Sequence, residues 1–132
     1  MRNLSKKTPA HCASNLRIVH VLHSLGSGGM EKGVATLVNN ATPGLEHIII
    51  CLTRSGGTER LLTRKTNILE FNKPAGHSLE FYKDLVKKLR QLKPHVVHTR
   101  NWAGTDGIIA ARLAGIRSVV HSEHGFGSEN AL

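Results

Sequence analysis

The sequence predicts an α/β fold, a Rossmann-like doubly wound parallel sheet with five strands in the order 3-2-1-4-5. Three observations carry this expectation. From Leu16 onward, short β-branched runs alternate with longer segments of helical period. The strand candidates are apolar on both faces, as strands covered by helices on both sides are. The 132 residues suit a single domain, since domains run to roughly 100–200 residues. Right-handed crossovers between parallel strands then set the order.

Each element has its own signal. Residues 1–15, MRNLSKKTPAHCASN, are polar and basic and contain Pro9, so they read as a flexible basic tail ahead of a domain over 16–132. The run LRIVHVL, Leu16 to Leu22, is the first strand. After the loop HSLGSGG, a helix is expected from about Met30 to Asn40, because Met30, Val34, Leu37 and Val38 fall at i, i+4, i+7 and i+8. Pro43 and Gly44 end it. HIIICLT, His47 to Thr53, is the second strand, followed by a short helix around Thr58 to Arg64 and a third strand at Asn67 to Phe71. Ser78 begins the clearest helix, with Leu79, Tyr82, Leu85, Val86, Leu89 and Leu92 as one apolar stripe and Pro94 as its stop. HVVHT, His95 to Thr99, is the fourth strand. It leads through RNWAGTDG into the small-residue helix IIAARLAG, closed by Gly115, and RSVVHS, Arg117 to Ser122, is the fifth.

Composition narrows the function classes. With 39% hydrophobic and 20% charged residues, the bulk of the chain is not disordered. Cys12 and Cys51 are the only cysteines, too few for a disulfide framework, which points to a reducing, cytoplasmic setting. No apolar run is long enough for a membrane span, and the start lacks the apolar core of a signal peptide. Eighteen Lys and Arg against nine Asp and Glu leave a formal charge of +9. Such a balance suits an anionic acceptor, an anionic membrane surface or nucleic acid. Only 4% of residues are aromatic, the charges are scattered and no nucleic-acid motif is present, so nucleic acid is not an expected partner. Lys83, Lys87, Lys88 and Arg90 lie opposite the stripe of the long helix. They read as a solvated face, with peripheral membrane contact as the alternative.

In a doubly wound sheet, ligands bind beyond the carboxyl ends of the strands. Three loops should open there: Gly26 to Glu31 after the first strand, Arg100 to Trp102 after the fourth, and Glu123 to Gly125 after the fifth. Glycines at a helix N-terminus let backbone N–H groups approach a phosphate or sugar. The spacing departs from the dinucleotide fingerprint, because Glu31 stands where the last glycine would be, and from the Walker pattern, because Val34 and Ala35 follow Gly33. A tight turn without a ligand remains open. His95 and His98, like His121 and His124, are three apart, which on a strand sends them to opposite faces, so no metal site is expected. His20, His23, His95 and His98 read as histidines satisfied by hydrogen bonds. His124, beyond the fifth strand, is the candidate for contact with a ligand. Arg100 and Asn101 suit an anionic or sugar-like ligand, with a surface ion pair and a helix cap as the plainer reading. Trp102 reads as a packing residue.

Three segments together, IVHVLHSLGSGGMEKGVATLVNN, LRQLKPHVVHTRNWAGTDGIIAARLAGI and VVHSEHGFG, resemble the N-terminal, acceptor-side domain of family 4 glycosyltransferases of the GT-B fold. They are most similar to sugar transferases associated with exopolysaccharide and PEP-CTERM systems. The resemblance implies retaining transfer of a sugar from a nucleotide-sugar donor to a sugar or lipid-linked acceptor, without a cofactor. It places Gly28, Gly29 and Glu31 in a Gly-Gly-x-Glu turn facing the cleft near donor phosphate and acceptor. It makes His124 the catalytic cleft histidine beside the transferred sugar, and gives Arg100 and Asn101 acceptor contacts. In such enzymes a second Rossmann-like domain with a paired-glutamate motif holds most of the nucleotide. No such domain is found in these residues, so the chain reads as a truncated half not expected to turn over alone: a gene fragment, a truncated reading frame, or one half of a split enzyme whose partner is a separate C-terminal domain chain. The alternative is a nonenzymatic or vestigial module of Rossmann type that binds a phosphate or nucleotide.

Overall fold

The computed structural model describes residues 15–124. The expected basic tail, apart from its last residue, and the segment after His124 lie outside them. Five parallel strands form one sheet in the order β3-β2-β1-β4-β5, as the alternation of elements predicts. They are β1 (Leu16–Leu22), β2 (Leu45–Cys51), β3 (Asn67–Glu70), β4 (Val96–Arg100) and β5 (Val119–Ser122). β1 is central: Leu16 to Leu22 run beside Leu45 to Cys51, and Ile18 to Val21 beside Val96 to Thr99.

The helices are α1 (Gly29–Asn39), α2 (Leu79–Leu92) and α3 (Gly104–Leu113). Steps from β1 to β2 and from β3 to β4 run in opposite directions across the sheet, so right-handed crossovers put α1 on one face and α2 and α3 on the other. α1 turns Val34 and Val38 onto Leu22, Leu25, Ile49 and Cys51. Burial pushes the Cys51 thiol pKa up to about 12, aided by Glu70 and Glu59. The larger core lies on the opposite face, where Phe81, Leu85 and Leu89 meet Val19, Val21, Ile48, Ile50 and Val97. α3 packs so close that a Cβ on Gly107 would sit 2.5 Å from Thr99 Cγ2, which explains its small residues.

Several boundaries differ from the sequence-based expectation. The segment expected as a helix at Thr58 to Arg64 is a 3₁₀ turn at Gly57–Leu61. β5 starts at Val119, and β4 runs one residue further than expected, ending on Arg100. Ser78 does cap α2, its hydroxyl accepting from Phe81 N–H at 3.3 Å, and Lys93 in the left-handed region (φ 48°) ends it before Pro94. The expected single stripe is divided. Leu85, Val86 and Leu89 enter the core together with Phe81, which the expected stripe leaves out, whereas Leu79 is 84% exposed and lines a groove with Tyr82, Leu113 and the edge of Val86. A helix packed against both a sheet and a neighbouring helix uses two apolar lines, and the 3.6-residue period admits both.

Candidate functional site

The glycine turn between β1 and α1 is held from the loop that follows β2. Leu25, fully buried, bridges Ser55, and Thr58 N–H donates to the Leu25 carbonyl at 3.3 Å. The buried Thr58 hydroxyl donates to the carbonyl of Gly26. Gly28 is the N-cap residue of α1 and supplies no side-chain cap. The Glu31 carboxylate lies back over it, so close that a Cβ on Gly28 would collide with Oε2. Glu31 thus sits at the positive end of α1, where an anion is favoured. Around Gly29 the space for a Cβ is open.

Arg100 is not a loop residue. As the last residue of β4 it shares the alternation of Val96 and His98, faces the α1 side of the sheet, and is only 5% exposed. Its guanidinium donates to His20 Nδ1 at 2.9 Å and to His98 Nδ1 at 3.1 Å. Guanidinium cannot accept, so both Nδ1 atoms must, and each neutral ring keeps its proton on Nε2. His20 Nε2–H then donates to His47 Nδ1 at 2.8 Å, and His98 Nε2–H to the Ser122 hydroxyl at 2.7 Å. This assigns the tautomers from the hydrogen-bond network. One polar chain therefore crosses β2, β1, β4 and β5. Its far end, His47 Nε2, is buried without a partner among the described residues. Burial, then the neighbouring Arg100, lowers the pKa of His20 to about 3 and that of His98 to about 4. Burial also lowers the pKa of Arg100 itself.

Asn101 follows in the left-handed region, φ 48°. Its side-chain amide holds the backbone of His124 from both sides. His124 N–H donates to Asn101 Oδ1 at 2.6 Å, and Asn101 Nδ2 donates to the His124 carbonyl at 3.2 Å. His121 points to the opposite face, with Nδ1 2.9 Å from the Thr99 hydroxyl and Nε2 2.7 Å from Glu123. The exposed His124 ring is left facing a cleft.

That cleft measures about 570 Å³ and is lined by Gly29, Met30, Gly33, Val34, Leu37, Arg100 and His124. The first, fourth and fifth strands thus deliver their ends to one place, as a doubly wound sheet requires. Of the residues singled out from sequence, Gly29, Arg100 and His124 line the cleft. Gly28 and Glu31 form the adjoining turn, and Asn101 sits behind His124. Met30, in the expected loop, lines the cleft too, whereas Gly33, Val34 and Leu37 of α1 and the support from Thr58 were not among them. Both arise from packing between segments far apart in sequence. Trp102, expected to pack, is instead 90% exposed beside the site. Among the described residues, no three His, Cys, Asp or Glu side chains converge as metal ligands.

The model of Glycosyltransferase Family 4 matches residues 27–131, which include the glycine turn, Arg100, Asn101 and His124. The chain belongs to this family. The fold of this family 4 domain is also that of a solved GT-B enzyme, MurG of Acinetobacter baumannii, with a TM-score of 0.63 and 20% identity. The match covers 84% of this chain and 37% of the MurG chain, and at that identity the likeness is one of fold. No curated protein matches at a significant level. Among the described residues, no helix is long and apolar enough to cross a membrane.

Proposed function

We propose that this family 4 domain forms the acceptor-side wall of a glycosyltransferase cleft, for retaining transfer of a sugar from a nucleotide-sugar donor in polysaccharide or glycoconjugate synthesis. One observation carries the reading: Gly29, Arg100 and His124, contributed by three separate strand ends, line a single cleft. His124 stands beside the transferred sugar, where an imidazole orients the sugar and stabilises developing charge. Gly28, Gly29 and Glu31 shape the wall near the donor phosphate and the acceptor. Asn101 sets the height of His124 with one N–H and one lone pair of its amide, and its second N–H and lone pair serve the acceptor. A second Rossmann-like domain supplies most of the donor contacts.

The test is hydrolysis or transfer of labelled nucleotide sugars by the chain, alone and mixed with a companion chain carrying such a domain. Turnover that falls sharply in His124→Ala is expected. No turnover in either setting, with nucleotide bound but unchanged, would leave the nonenzymatic Rossmann-type module as the better reading.

A specific feature also supports a peripheral position at the inner face of a membrane. The groove between α2 and α3 has an apolar lining of Leu79, Tyr82, Val86 and Leu113, edged by Lys83, Lys87 and Arg90. Basic side chains around an apolar strip suit anionic lipid. Binding to phosphatidylserine vesicles at low salt that is lost at high salt is the expected result, and retention through a high-salt wash contradicts electrostatic attachment.

A further inference from the structure

We propose that β5 is a dimerisation edge, along which a second copy of this chain pairs antiparallel about a twofold axis at Val120. This goes beyond the transferase reading and does not depend on it. Among the described residues β5 is the outermost strand of the sheet, paired with β4 on one side only. Val97 N–H donates to the Ser118 carbonyl at 3.0 Å, so Ser118 turns its backbone groups towards β4. Alternation gives those of Val120 and Ser122 the same direction and aims those of Val119 and His121 at the outer edge.

Such an edge admits several partners, and the side chains select one. When Val120 is set against Val120 of the second copy, Val119 lies opposite His121 of the second copy and His121 opposite its Val119. In each of these pairs the outward backbone groups exchange both hydrogen bonds. Val120, 48% exposed on the α1 face, meets its own copy at the close spacing of a non-hydrogen-bonded pair, with both side chains on one face. The same register places Arg117 opposite Glu123 of the second copy at each end. Both residues are exposed, and Arg117 forms no ion pair among the described residues. Glu123 has Oε1 on His121 Nε2 at 2.7 Å, which leaves Oε2 for the incoming guanidinium. The Arg117 carbonyl is already held by Arg112 Nη1 at 3.0 Å, so these ends join through side chains and not through backbone. A slip of two residues sets either Val119 or His121 against itself, and each slip breaks both opposite-charge pairs. A free edge, an exposed β-branched residue at its middle and opposite charges at equal distances on either side are thus satisfied by one isologous contact. A strand of four residues makes a small contact, so the dimer exchanges with monomer. Antiparallel pairing sends the carboxyl ends of the two sheets in opposite directions, and each copy keeps its own cleft.

The full chain is sedimented across a concentration series, and amide exchange is followed on the same samples. A reversible equilibrium of monomer and dimer is expected, with protection of the Val119 and His121 amides rising with concentration. Val120→Lys sets two like charges together and should leave a monomer, with the circular dichroism and unfolding midpoint of the parent because residue 120 is exposed. Arg117→Glu and Glu123→Arg should each weaken the dimer about 10-fold, since each replaces two attractive pairs by repulsive ones. The two together restore opposite charges in exchanged positions and should recover the dimer. Should Val120→Lys fail to fold, the charge exchange and the amide protection in the unmodified chain decide. A monomer at every concentration, a dimer whose Val119 and His121 amides stay unprotected, or charge changes that do not compensate overturns the proposal. Open-ended growth overturns it too, since that is the mark of β5 stacking on β3 of the next copy. Sugar transfer is assayed separately, and its presence or absence moves none of these readouts.

Discussion

Replacing Asn101 separates two contributions that this residue combines. Its left-handed backbone costs a residue with a Cβ about 1–2 kcal/mol, less for Asn than for Ala. Its amide makes two bonds to the His124 backbone, at 2.6 and 3.2 Å, in an exposed segment, worth together about 1–2 kcal/mol at the lower end of the usual range. Asn101→Ala loses both bonds and keeps the strained backbone, so it should cost about 2–3 kcal/mol. Asn101→Gly loses the same bonds but relieves the strain, so it should cost only about 0–1 kcal/mol. Urea denaturation measures the difference, and amide exchange at His124 reports the clamp. Both variants should expose the His124 amide equally while differing in stability. In a working transferase, Asn101→Gly should lower turnover with little loss of fold. Equal stability of the two variants, or an unchanged His124 amide in both, would refute the argument.

Two further expectations follow from packing and charge. Asp106, buried at the start of α3, accepts from Lys73 Nζ at 2.5 Å and from the Tyr82 hydroxyl. Asp106→Asn should cost about 1.5–3 kcal/mol in chemical denaturation, the range for hydrogen bonds to a charged group. Burial pushes the Asp106 carboxyl up, but the bonds from Lys73 and Tyr82 outweigh it and its pKa is lowered from 3.8. Its contribution is therefore complete above that value and is lost as pH falls through the lower folded pKa, so the acid limb should flatten in Asp106→Asn. In α2, Phe81→Ala should cost about 3–5 kcal/mol and Leu79→Ala well under 1 kcal/mol, because only Phe81 is buried. Comparable losses in the two would show that Leu79 is covered in solution.

The strand order was legible because it follows from alternation and crossover handedness, both local in sequence. The hydrogen-bonded state of His20 and His98 was legible too, since strand histidines between apolar neighbours must find partners, whereas His23 and His95 lie exposed outside the strands and only the His95 ring takes a bond, from Arg17 N–H. Arg100 was harder. A boundary placed one residue early turns a buried strand cation into a loop residue, and only its alternation with Val96 and His98 could have corrected it. The Asn101–His124 clamp joins residues 23 apart through the pairing of β4 with β5, and local pattern carries no trace of it. The division of the α2 stripe depended on α3, whose approach is set by Gly107 against Thr99.

The polar chain beneath the cleft makes the last expectation. Crossover handedness leaves α1 as the helix on its face, seated on Leu22, Ile49 and Cys51. His20 and His98, paired in register on β1 and β4, fill the adjoining part of that face. They are neutral in the fold, with pKa values lowered to about 3 and about 4 from 6.5, first by burial and then by Arg100. Between those values and 6.5 the unfolded chain binds protons that the folded chain does not. Stability is therefore full above about pH 6.5 and falls as pH drops, by up to about 1.4 kcal/mol per pH unit for each ring. Denaturant midpoints from pH 7 to 4.5 measure this slope, and His20→Gln should reduce it by about one proton. Stability that is level across that interval would mean that both rings take up protons in the fold as they do in the unfolded chain. A charged ring has no bare Nδ1 with which to accept from Arg100, so the guanidinium could not be held as described.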